Sequence, residues 1–162
     1  MDKKLDANQQ RFLERAIELS GMGMNSGHGG PFGCVIVKDN EIVGEGYNMV
    51  ISTNDPTAHA EVVAIRQACK NLQTFQLDGC EVYTSCEPCP MCLGAIYWAR
   101  PAKVFFANTR KEAAAIHFDD DFIYGEIGTL IHERKIPFIH TPNEKARQVF
   151  NDWTTMSGKK KY

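Results

Sequence analysis

Asp55-Pro56-Thr57-Ala58-His59-Ala60-Glu61 and, further along, Cys86-Glu87-Pro88-Cys89-Pro90-Met91-Cys92 are the two stretches around which the chain is organised. They read His-x-Glu and Pro-Cys-x-x-Cys. A catalytic zinc takes three protein ligands of its tetrahedron and leaves the fourth position to water; His59, Cys89 and Cys92 supply three. Cys89 and Cys92 stand three apart and share one face of a helix. His59 and Glu61 stand two apart, on nearly opposite sides of a helix, so they converge only on a point off its end. Pro56 and Pro88 mark such ends, because proline is favoured where a helix opens, and Asp55 or Thr57 offers the first helix a cap. The expectation is two helices with their N-termini aimed at one metal. The partial positive charge of those termini also favours thiolate ligands.

A lone histidine is more often a core or surface residue, and a lone Cys-x-x-Cys is equally a redox pair or half of a structural zinc site. A four-cysteine site needs a second such pair, whereas Cys34, Cys69 and Cys80 are scattered singly. The overlapping Cys86-x-x-Cys89 pair is rejected because Pro88 marks a helix start just before Cys89, leaving Cys86 at a strand end or in the turn. Together the two motifs resemble the signature of zinc deaminases that act on nucleobases. Zinc lowers the pKa of the water it binds towards about 7. Glu61 is placed to take that proton and return it to a leaving amine, which is general acid–base work. A solvated first-turn carboxylate is the alternative for Glu61, and it loses to the histidine two residues earlier.

The length of 162 residues fits one domain, residues 1–162, large enough for a proper core. A net charge of −2 supplies no general pull toward nucleic acid, and the one basic cluster, Lys159-Lys160-Lys161, reads as a solvated tail. The first ten residues lack the apolar core of a signal peptide, and no run approaches membrane-spanning length. Six cysteines alongside thiolate ligands fit a reducing, cytoplasmic setting better than a disulfide framework.

Along the chain, Phe12, Leu13, Ala16, Ile17 and Leu19 form a helical stripe that packs on a sheet. The glycine-rich stretch from Gly21 to Gly33 reads as a flexible turn and not a phosphate cradle, since no Gly-Lys-Ser/Thr follows. Its end leads into a strand and puts Phe32 at a site mouth. Residues 34–37 and 42–48 predict a hairpin around Asp39-Asn40. A metal helix follows from Thr57 to Leu72, with Val62, Ile65, Cys69 and Leu72 on one face. Further strands are predicted at Val82–Thr84, Val104–Phe106 and Ile136–Ile139, with the second metal helix running to Ala99 and ended by Pro101. A last helix spans Glu144–Trp153, its stripe of Ala146, Val149, Phe150 and Trp153 requiring burial. The fold class is α/β: a three-layer α/β/α arrangement with a mixed five-stranded sheet and helices on both faces. Ligands of such sheets lie beyond strand carboxyl ends, where both motifs fall.

The resemblance extends beyond the zinc motifs. Gly29–Asp39, Ser52–Glu61, Tyr83–Pro101 and above all Phe118-Asp-Asp-Asp-Phe-Ile-Tyr124 look like the compact bacterial guanine deaminases. That likeness covers most of residues 11–140 and returns at the terminal Lys-Lys-Tyr. It implies a cytidine deaminase-like fold, zinc as cofactor and hydrolysis of guanine, a small-molecule purine, to xanthine and ammonia. It further implies that Asn48 hydrogen-bonds the purine edge and that Asp120 holds the purine and helps move protons; Phe32 and Ala60 are further candidate substrate-binding residues. Tyr162 resembles a C-terminal aromatic that closes over a site; the final helix and tail of that family cross to a partner subunit, which implies a swapped homodimer for the segment from about 141 to 162, although residues 141–158 and the N-terminal extension depart from the family pattern. No nucleic acid or membrane partner is expected.

Three rivals share parts of the pattern. A tRNA adenosine deaminase has the same Asn-Asp-Pro-Thr-Ala-His-Ala-Glu run but needs a basic surface for RNA. Deaminases of guanosine, cytosine or other bases share the zinc motifs. A structural zinc module would leave Glu61 and an open coordination position without a role.

Overall fold

The computed structural model describes residues 4–118 and 120–162. Residues 1–3, part of the leader reading, and Asp119, part of the Phe118–Tyr124 segment, lie outside the described residues. The elements run α1 (Ala7–Asn25), β1 (Gly33–Lys38), β2 (Glu41–Tyr47), a single turn α2 (Val50–Thr53), α3 (Ala60–Leu72), β3 (Glu81–Cys86), α4 (Pro90–Ala99), β4 (Lys103–Asn108), α5 (Arg110–Ala115), α6 (Asp120–Gly128) and α7 (Glu144–Thr155), with one 3-10 turn at Ile131–Glu133. The first compact unit ends at Asp121 and the second covers Phe122–Tyr162.

In the first unit the strands lie in the order β2-β1-β3-β4. The predicted hairpin forms, with Asp39 and Asn40 both at positive φ, the geometry that matches strand twist in a two-residue turn. Strand β1 is antiparallel to β2 and to β3, and β3 is parallel to β4. It follows that β2 and β3 point the same way, so the chain leaves both at the same end of the sheet before entering α3 and α4.

Strand alternation assigns the two faces. Cys34, Ile36 and Val82 join Ala60, Ala64, Ala68 and Ala99 in one core cluster, while Val35, Val37 and Tyr83 join Phe12 and Leu19 of α1 in the other. Both faces are therefore covered, as expected. The buried line of α3 is Ala60, Ala64 and Ala68, with Ile65, Cys69 and Leu72 only partly buried beside it. The predicted stripe of larger residues thus flanks the contact instead of making it. Small residues are required because β2 presents Gly44 and Gly46 to α3, and a Cβ on either would come within 2.5 Å of a helix carbonyl, that of Ala64 or Ala60.

Among the described residues four strands form, not five. Ile136-Pro137-Phe138-Ile139 pairs with no strand, Ile136 lies in a bend, and Ile136, Phe138 and Ile139 are exposed. Pro137 lacks a backbone donor, and an apolar run without a laddering neighbour is not a strand. In the second unit α7 forms close to its predicted bounds, capped by Asn143, whose side chain accepts from the amides of Lys145 and Ala146. No residue from 122 to 162 is buried, Val149 and Phe150 included.

The glycine–alanine seam yields a contrast in stability. Gly46→Ala should destabilise the fold by about 1–3 kcal/mol, the usual range for overpacking, because the added methyl meets helix backbone that has no rotamer to change. Gly94→Ala in α4 meets nothing within 4 Å and should be neutral or stabilising by up to about 1 kcal/mol through helix propensity. Urea unfolding of both variants checks the pair.

Candidate metal centre and active site

Both predicted ligand stretches end at helix N-caps. His59 caps α3 in an extended conformation, and Cys89 caps α4. The two-residue spacing of His59 and Glu61 is explained by this: His59 lies outside the helix and Glu61 in its first turn, so their side chains are free of the helical angle between them. Asp55 and Thr57 do not cap α3. Asp55 instead closes on Thr57, accepting from its amide at 2.8 Å and its hydroxyl at 2.6 Å. Pro90, not Pro88, occupies the first helical position of α4. His59 makes no side-chain cap hydrogen bond, its imidazole being turned to sulfur.

His59 Nδ1 lies 3.5 Å from the Sγ of both Cys89 and Cys92, and the three donor atoms lie within 4.8 Å of one another. With zinc–sulfur and zinc–nitrogen bonds of ordinary length, a nitrogen–sulfur edge of the tetrahedron measures about 3.6 Å. The donor set therefore fits zinc in both chemistry and spacing. Cys86, the last residue of β3, directs its sulfur to the carbonyl of Thr109 at 3.7 Å and stands outside the cluster. Its exclusion holds, for that reason and not because a helix starts at Pro88.

The two ligand thiols are unequal. A hydrogen bond from Cys92 holds the Cys89 thiol down to about 4 against the cost of burial, with a further hydrogen bond to His59 and the Cys92 amide assisting. Cys92 is pushed up, first by retaining that shared proton and then by burial. His59 is raised, chiefly by its hydrogen bond to Cys89. A thiol acidified in this way beside a helix N-terminus readily loses its proton to a thiolate-binding cation such as zinc.

Glu61 is buried at 6% exposure. Its Oε1 accepts from Thr84 Oγ1 at 3.1 Å, and Oε2 lies 3.3 Å from Cys92 Sγ. Burial raises its pKa above the ordinary glutamate value, while its own backbone amide and Cys92 draw it part of the way back.

A cavity of about 450 Å³ opens on this cluster, within the roughly 300–1,000 Å³ span of small-molecule sites. His59, Glu61 and Cys89 line its floor, with Asn48, Phe32 and Asp120 also on its walls. Four of the sequence candidates are thus brought together with the metal ligands. Ala60 is fully buried in the core, so any part it plays falls to its backbone amide in the first turn of α3. Tyr162 belongs to the second unit and is exposed.

Gly29, Gly30, Glu87 and Phe118 also line the cavity, and the motif reading passed over them. The glycines are no flexible turn. A Cβ on Gly29 would sit 2.0 Å from Asn48 Oδ1, and one on Gly30 would sit 2.7 Å from the Phe118 ring. The Phe118 ring meets Phe32 edge-on at 4.8 Å between centroids. Adjacent glycines just before a strand were the available signal, one that marks close backbone approach as readily as mobility.

Residues 6–108 match the family model described as the cytidine and deoxycytidylate deaminase zinc-binding region. The chain belongs to the cytidine and deoxycytidylate deaminase family. Within this deaminase family it is 56% identical to the guanine deaminase of Bacillus subtilis over 96% of this chain and 99% of that one. The tRNA-specific adenosine deaminase of Aquifex aeolicus is 44% identical, over 53% of this chain and 57% of its own length. A solved structure of Bacillus subtilis guanine deaminase superposes with a TM-score of 0.93 at 54% identity, covering 98% of this chain and 99% of that one. The guanine deaminase of Nitrosomonas europaea superposes at 0.65 with 28% identity, covering 73% of this chain and 68% of the other.

The purified protein should contain about one zinc per chain. Cys89→Ser and Cys92→Ser should each empty the site, and Cys86→Ser should leave metal content unchanged. Atomic absorption on the three variants, with circular dichroism to verify folding, measures this.

Proposed function

We infer that the protein hydrolyses guanine to xanthine and ammonia. The observation that carries this reading is the 56% identity to a guanine deaminase that runs through 96% of the chain, whereas the tRNA-specific relative from Aquifex matches only 53% of it. The cavity beside the donor set agrees, being of a size for a free base and lined by the Phe32 and Phe118 rings. The chain's net charge of −2 offers no broad basic surface for RNA.

His59, Cys89 and Cys92 would hold zinc, which when bound acidifies a water at neutral pH. Glu61 takes a proton from the water that adds to C2 of guanine and passes it to the ring nitrogen, then takes the second proton from the new hydroxyl and gives it to the amine that departs. One water is consumed and one ammonia formed. Burial raises the pKa of Glu61 above the ordinary glutamate value, which strengthens it as the base that takes the first proton. Asn48 Oδ1 accepts from the Val50 amide at 3.1 Å. An amide donor must meet oxygen, so Nδ2 is the end of the carboxamide presented to a purine acceptor. Asp120 on another wall supplies the complementary acceptor, and Phe32 lies against the ring.

The protein acts as a homodimer in the cytoplasm, with the segment from about 141 to 162 exchanged and Tyr162 closing the partner's cavity. The unburied Val149, Phe150 and Trp153 of α7 support the exchange, since an apolar stripe needs a face to cover it. Six free cysteines support a reducing compartment, and no helix among the described residues is long and apolar enough to cross a membrane.

Glu61→Gln should retain zinc and xanthine binding while losing about 10²–10⁴-fold in kcat. Ammonia release from guanine, guanosine, cytosine, adenosine and a tRNA anticodon stem tests the substrate, with guanine expected to lead; preference for the stem would overturn it. Co-refolding Glu61→Gln chains with chains truncated after Trp153 should restore activity in the hybrid site. No rescue in verified heterodimers would leave the tail on its own subunit.

A further inference from the structure

Thr84 lies inside β3, its backbone paired with Cys34 of β1 on one side and Phe106 of β4 on the other. It is 1% exposed, one of four buried polar or charged residues among those described, and its hydroxyl donates to Glu61 Oε1 at 3.1 Å. Being β-branched, threonine in a strand has few side-chain rotamers, so the sheet fixes the position of its Oγ1. Glutamate has three rotatable side-chain bonds, and the α3 backbone alone does not fix where its carboxylate ends. The two oxygens of Glu61 have unlike neighbours: Oε1 meets the strand hydroxyl, and Oε2 meets the sulfur of a metal ligand.

We propose that Thr84 is a positioning residue that holds Oε1 of Glu61 against the sheet and so turns Oε2 toward the attacking water and the departing amine. This rests on the reading of Glu61 as the acid–base group. Thr84 neither lines the cavity nor belongs to the donor cluster. It supplies a fixed donor to the one oxygen that takes no part in proton transfer, leaving the other a single direction. Proton transfer falls off steeply when the group moves by a fraction of a hydrogen-bond length, so the effect belongs in turnover and not in binding.

The experiment compares Thr84→Val, Thr84→Ser and Glu61→Gln in the zinc-loaded, full-length protein. Valine keeps the shape and branching of threonine and removes only the donor. Expected for Thr84→Val is a kcat for guanine lowered about 10- to 100-fold, the worth of a hydrogen bond to a charged group. KM, the Kd for xanthine, zinc content and Tm should stay near wild type. Thr84→Ser restores the hydroxyl and should recover most of kcat; a purely structural role would instead move Tm and KM together and gain nothing from serine. Near-wild-type kcat in Thr84→Val, or serine as slow as valine, overturns the proposal, as does loss of zinc in Thr84→Val. If Thr84→Val fails to fold, Thr84→Ala removes the same donor, and the same kcat deficit at unchanged xanthine affinity is required. An active Glu61→Gln overturns the underlying reading instead. An inactive Glu61→Gln beside an unimpaired Thr84→Val sinks the positioning role alone.

Discussion

Two helix N-termini must stop where His59 Nδ1 lies 3.5 Å from two sulfurs, and the sheet is arranged to bring them there. Because β1 runs antiparallel between β2 and β3, the strands that feed α3 and α4 point the same way, and both helices begin beyond the same sheet end. Direction alone leaves freedom of about a side chain's width. The seam of Gly44 and Gly46 against Ala60, Ala64 and Ala68 removes it, since the helix backbone rests directly on the strand. A larger residue on either side would lift α3 and carry His59 and Glu61 away from Cys89 and Cys92.

The same convergence makes buried charge tolerable. Cys89, Cys92 and Glu61 are all buried, and three acidic groups so close would ordinarily repel. Each lies at or near the positive end of a helix, and Cys89 also accepts from the Cys92 amide. Cys89 thus performs the task a serine or aspartate performs at other N-caps while remaining a ligand. His59 gives up capping altogether. The chain ahead of it is held instead by the Asp55–Thr57 turn and by the Met49 amide donating to Ala58.

The local chemistry of this centre was legible in the sequence because spacing and ligand type are local properties. The ligands, Glu61, the hairpin at Asp39-Asn40 and the two-sided burial of β1 all follow from runs of a few residues. What escaped depends on partners far along the chain. The Ala60, Ala64 and Ala68 line was hidden because alanine carries little weight in a hydrophobic pattern, and its significance comes only from the glycines opposite. Ile136–Ile139 has strand composition, but a strand needs a neighbour that no local pattern supplies. Pro88 and Pro90 offer the same helix-opening signal, and only the backbone distinguishes them. The likeness of residues 118–124 to guanine deaminases directed attention to Asp120 and past Phe118, whose ring completes the aromatic wall with Phe32.

Glycine at position 29 ties these scales together. Asn48 follows β2 directly, and its carboxamide can lie at the cavity wall only because Gly29 has no Cβ to occupy the space of Oδ1. The Val50 amide then fixes which end of that carboxamide is oxygen. A side-chain amide is otherwise symmetric in shape and would present donor and acceptor with equal ease. Glycine contact from one loop and an amide donor from the next remove that symmetry before any ligand arrives. On the proposed assignment of Asn48 to the purine edge, a cavity preset in this way would discriminate by hydrogen-bond polarity: a ring with an acceptor opposite Asn48 would be bound, and one with a donor there would leave two buried donors facing each other, at a cost of about 1–3 kcal/mol. On that assignment Gly29 would contribute to specificity through close contact with Asn48, a role that its glycine-rich surroundings alone do not suggest.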